Sequence, residues 1–204
     1  MTIMLGRARI VALLAWAAPL AGQGPSDDAP PVALPDGVTV DASIEYYDLD
    51  AADLRGVVDM LNRMRLEGPG GRPSQGLTRY WISPNWRVQA GGGECRVVHV
   101  DVSVEILITL PRWRVVRGRP VEEQEGWERI ESAIREHEFV HRDLAIEAAG
   151  QLREEMSGLR ARGCGTLRDV VSSTLSIVNG RLEQAHADFD RDTPPRLSIR
   201  PGGG

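Results

Sequence analysis

Alternation along one stretch does more than any other feature to limit what this chain can fold into. Val98, Val100, Val102, Val104, Ile106, Ile108 and Leu110 fall on one face of an extended segment, while His99, Asp101, Ser103, Glu105 and Thr109 fall on the other. A strand patterned this way buries one side and wets the other, so the chain must build a sheet with a covered face. Pro111 ends it. His99 lies on the wet side and reads as a solvated or hydrogen-bonded strand residue. Val97 to Leu110 is also a candidate to pair with an extended peptide, provided that it is an edge of the sheet.

The cover is helical. From Glu122 to about Arg162, the residues Trp127, Ile130, Ile134, His137, His141, Leu144, Ala148 and Leu152 recur at steps of three and four, which makes one continuous buried face. A bend is expected near Gly150 or Gly158. After Gly163-Cys164-Gly165, a last helix from Leu167 to Phe189 turns Leu167, Val171, Leu175, Val178, Leu182, Ala185 and Phe189 inward. Upstream, Val38 to Tyr47 reads as a first strand and Ala51 to Leu66 as a helix capped by Asp50 and stopped at Gly68-Pro69-Gly70-Gly71. Gly76 to Val88 is a second strand or bent pair, and Gly91-Gly92-Gly93 is a turn.

Both histidines of the long helix occupy positions where apolar residues belong, in the run His137-Glu138-Phe139-Val140-His141. Four residues apart they stand one turn above one another, so both rings can reach a single ion, with Glu138 beside it. A shared zinc satisfies two buried imidazoles, and a catalytic zinc uses three protein ligands and leaves a fourth position for water. His137 and His141 are therefore candidate zinc ligands, and Glu138 is the candidate acid and base of peptide hydrolysis. For the third ligand the first candidate is His186 and the second Asp190, one turn apart at the edge of the last helix's apolar face. Glu147 is the rival nearest in sequence. A helix that continues past Leu144 would swing it about 80° from His137, which disfavours it.

The ends bear on location. Arg7 and Arg9 precede the apolar run Ile10 to Ala18, and small residues follow, so residues 1–24 read as a signal peptide. That run is too short to span a bilayer. Residues 25–37, rich in Pro, Asp and Ala, read as a disordered linker, 38–193 as a single domain and 194–204 as a flexible tail. Export would place Cys95 and Cys164, the only two cysteines, in an oxidising compartment where they can form a disulfide. The formal charge is −5 and the arginines are scattered among acids, which excludes nucleic acid as a partner.

Tyr46-Tyr47, Thr109-Leu110-Pro111-Arg112-Trp113, Trp127, the HExxH run, Cys164 and Asp190-x-x-Thr193 together resemble the predicted secreted zinc-dependent proteases of bacteria, a family labelled as a domain of unknown function. The resemblance covers about Ser43 to Thr193. It implies an α+β, zincin-like fold in which a twisted, mainly antiparallel sheet packs on an active-site helix and a C-terminal helix. It also implies a paired Cys95 and Cys164. The family pattern continues past Asp-x-x-Thr with x-His-Gly, whereas Pro194-Pro195-Arg196 stand here. The reading is a secreted or periplasmic zinc metallopeptidase acting on a peptide or protein substrate. Its rival is a non-catalytic zinc-binding or envelope-associated protein that kept the fold.

Overall fold

The computed structural model describes residues 32–64, 66–67 and 73–193. The stretches read as a signal peptide and as a tail, most of the linker and the stop at Gly68-Pro69-Gly70-Gly71 lie outside the described residues. In chain order the elements are β1 (Val38–Leu49), α1 (Leu54–Arg63), β2 (Leu66–Glu67), β3 (Pro73–Ser74), β4 (Leu77–Gly91), β5 (Glu94–Trp113), α2 (Val121–Met156), β6 (Arg160–Arg162) and α3 (Cys164–Asp192). The architecture is α+β, with three helices and a mixed sheet among the described residues.

β5 is the spine of the sheet. β4 folds back on it antiparallel through the turn at Gly92 and Gly93, both at positive φ. On its other side β1 runs parallel, in register from Val38 opposite Val102 to Leu49 opposite Trp113. The sheet is mixed: the β4–β5 and β5–β6 pairings are antiparallel, as expected, while β1 joins β5 in parallel because the chain crosses over through α1 and β4 before β5. One expectation is corrected here: Val97 to Leu110 is not an edge, since most of it is hydrogen-bonded on both sides. Among the described residues only the short run from Val98 to Asp101 pairs on one side alone.

The alternation is also interrupted once. Arg87 pairs with His99 and Val88 with Val97, so Val98 is the extra residue of a β-bulge. Its side chain is 50 % exposed, while Val97 and Cys95 below it and Val100 above it are buried. Sequence alternation had placed Val98 on the core face.

α2 lays Trp127, Ile130, Ile134, Leu152 and Met156 into the same core as the β5 residues Val102, Val104, Ile106, Ile108 and Leu110. Glu122 and Glu123 in its first turn suit the positive end of the helix dipole. Gly150 does not break it. The missing side chain lets Pro35 approach, because a Cβ there would lie 2.8 Å from the proline Cγ. The helix ends at Met156 rather than near Arg162, where Gly158 at φ +77° turns the chain into β6 beside Glu94–Arg96. α1 is capped by Asp53, whose carboxylate accepts from the Gly56 amide at 2.7 Å, and not by Asp50. Cys95 and Cys164 form the expected disulfide, which ties the first residue of α3 to β5. Among the described residues no helix is long and apolar enough to cross a membrane.

Candidate metal centre

α3 runs antiparallel to α2, as the pairing of Arg181 with Glu155 near one end and of Asp190 with His137 near the other requires. Asp190 is thus level with His137, and His186 with His141. His137 Nε2 lies 3.2 Å from Asp190 Oδ1 and 3.2 Å from His141 Nε2, and His141 Nε2 lies 2.9 Å from the same Oδ1. Three ligand atoms therefore close a small triangle. Its proton arrangements are poor ones: two Nε2–H groups would oppose each other, two bare nitrogens beside a carboxylate gather three lone pairs, and a single Nε2–H leaves the other ring nitrogen bare against the carboxylate oxygen.

One cation resolves this. Ligands held at about 2.0 to 2.1 Å around a tetrahedral ion stand about 3.3 Å from one another, close to the triangle seen here. The donor set of two imidazoles and a carboxylate suits zinc, and His137, His141 and Asp190 form a candidate metal-binding group. The rings are clamped by aromatic neighbours. Phe189 stacks on His137 with centroids 4.6 Å apart, and meets His141 edge-on at 5.2 Å. Burial holds both imidazoles below the usual histidine range, with the Asp190 charge pulling the other way, so the neutral ligand form is favoured in the metal-free protein.

The place expected of His186 is taken by Asp190, the second candidate. His186 is buried but one turn away, and its Nδ1 faces His141 Nδ1 at 2.8 Å, on the side of that ring opposite the triangle. Tyr80 of β4 stacks on it at 5.0 Å. Burial, reinforced by the His141 charge and opposed by Asp190, pushes the His186 pKa down to about 4. Glu147 is exposed and accepts from Gln151, away from the site. His99, on the wet face as expected, pairs with Asp101.

Glu138 is only 2 % exposed. Thr78 of β4 donates to its Oε2 at 2.8 Å and lies 3.0 Å from its backbone oxygen. Gly76 passes so close that a Cβ would come within 2.7 Å of the glutamate Cγ. Burial raises the Glu138 pKa to about 7, with Thr78 opposing the shift and the Asp190 charge adding to it. Tyr47 is half-buried nearby and donates to the Gln75 carbonyl at 2.6 Å. Burial and the Glu138 charge together raise its pKa. Thr78, Gly76, Tyr80 and Phe189 had not been read as part of a site. Only the glycine just before β4 carried a signal, as a place where another chain segment comes close.

No curated protein and no solved structure matches the chain. A profile described as a bacterial protein of unknown function (DUF922) matches residues 44–194, nearly the span of the motifs above, and on that match the chain belongs to this bacterial family.

Proposed function

We propose that the chain is an exported zinc-dependent metallopeptidase whose domain, residues 38–193, has a zincin-like build. The observation that carries this reading is the triangle of His137 Nε2, His141 Nε2 and Asp190 Oδ1, with separations of 2.9 to 3.2 Å, and the carboxyl of Glu138 on the same turn of α2. His137, His141 and Asp190 would hold the ion. When bound, zinc supplies a Lewis acid that makes water and a peptide carbonyl reactive near neutral pH. Glu138 takes the proton from water and returns it to the leaving amine. Thr78 holds that carboxyl in place, and Phe189 keeps the two ligand rings from turning. Asp190, 26 % exposed in its side chain, marks the side from which solvent and a peptide or protein substrate enter. A secreted or periplasmic location agrees with the disulfide.

One observation favours the non-catalytic reading. Glu138 is buried, held by Thr78 and covered by Gly76, which a base serving an open cleft need not be. Zinc content and casein cleavage of the purified chain separate the two. One zinc per chain, lost in His137→Ala, together with cleavage abolished in Glu138→Gln, supports the peptidase. Zinc without cleavage supports a binding protein, and a wild-type chain without zinc overturns both.

A further inference from the structure

A metal-bound histidine must leave one ring nitrogen bare and carry its proton on the other, and whatever accepts that proton fixes the tautomer and the plane of the ring. Here the ion-facing nitrogen of His141 is Nε2, so the proton belongs on Nδ1. The atom facing Nδ1 at 2.8 Å is His186 Nδ1. Two ring nitrogens at that distance require one donor and one acceptor. With His141 donating, His186 accepts and keeps its own proton on Nε2.

Resting on the zinc reading above, we infer that His186 is a positioning residue: its Nδ1 receives the His141 N–H and thereby presents Nε2 of His141 to the ion. Three further observations support this. His186 is 4 % exposed and stacked on Tyr80, so its ring has little freedom to turn away. Its Nε2 is buried with no hydrogen-bond partner among the described residues, so the ring is placed for the sake of Nδ1 at the expense of its other polar atom. Finally, the acceptor is neutral. A carboxylate in that position would add a second negative charge beside Asp190 in a largely buried site, whereas an imidazole orients the ligand without altering the charge of the donor set.

The test uses the full chain and zinc itself, titrated against a competing chelator. His186→Phe keeps a ring against Tyr80 and removes the acceptor, and His186→Asn restores an oxygen acceptor. Thermal melting in chelator first establishes that each variant is folded. Positioning predicts that His186→Phe still takes one zinc per chain but about 10- to 100-fold more weakly. His186→Asn should recover to within a few-fold of wild type. Equal affinity of His186→Phe and wild type overturns the inference. So does loss of the bound zinc in both variants to the degree seen in His137→Ala, which would make His186 a ligand. Should the wild-type chain bind no zinc, the zinc reading fails and takes this inference with it.

Discussion

The two ends of α3 are held to the rest of the molecule by opposite means. At its first residue, Cys164 is bonded to Cys95 in β5, and the link needs nothing from solution but an oxidant. At its far end, His186 and Asp190 meet His141 and His137 of α2 with no covalent bond, through ring nitrogens and a carboxylate oxygen whose fit to one another depends on where the protons sit. One end is fixed by the history of the chain, and on the zinc reading the other is fixed by what the medium supplies. A site can recognise an ion where positioning is conditional, because imidazoles and a carboxylate that only hydrogen-bond to one another remain able to turn their lone pairs to a cation.

The largest expected effect falls at the conditional end. Glu138→Gln preserves the size of the side chain and leaves the triangle untouched, so zinc content should stay at one per chain while casein cleavage drops about 100- to 10,000-fold. A variant that cleaves as well as wild type would show that the carboxyl held by Thr78 serves structure only.

The covalent end is next. Replacing Cys95 and Cys164 together by alanine frees a loop closed over 69 residues, and on the chain-entropy account this costs about 4 kcal/mol in urea unfolding. The doubly substituted chain, where folded, should still bind one zinc. Loss of zinc along with the bridge would mean that the two ends are a single device, contrary to the contrast drawn here.

Metal removal should be smaller. At free zinc about 100-fold above its dissociation constant, binding contributes about 2.7 kcal/mol, and a chelator should remove that much. Asp190→Asn weakens the triangle at its shared corner, so zinc should raise its melting temperature much less than that of wild type. Because the disulfide and the triangle lie at opposite ends of a 29-residue helix, bridge loss and chelation should add. A coupling above about 0.5 kcal/mol between them would sink the idea of independent ends.

The same contrast governs what the sequence disclosed. Periodicity named the helical face that carries His137 and His141, and the only two cysteines of the chain had just one intramolecular pairing open to them. Those signals are local or exhaustive. The third corner of the triangle is neither: His186 and Asp190 share an edge of α3, and which turn meets the His137 ring depends on how far α3 slides along α2, a matter of tertiary packing. The parallel docking of β1 and the approach of Thr78 and Gly76 to Glu138 are likewise products of topology, silent in any short window of residues. Alternation in β5 misled at Val98, because a bulge changes the count without changing the composition, and near its end, where Thr109 is buried rather than wet and the strand runs past Pro111 to Trp113.

Val98 therefore offers the finest test, near the covalent end of β5. Val98→Thr puts a hydroxyl on a side chain already half in water, and the change in stability should stay within about 0.5 kcal/mol. Val100 is 5 % exposed in the core, where the same hydroxyl loses water without a prepared partner, so Val100→Thr should cost about 1 to 3 kcal/mol. Plain alternation puts both valines on one face and predicts equal losses, while the bulge predicts a large one and almost none. Urea unfolding of the two variants side by side decides. Equal losses would remove the bulge and shift the register of β5 against β4 below it, carrying Cys95 and Val97 off the core face and with them the alignment that lets Cys95 reach Cys164.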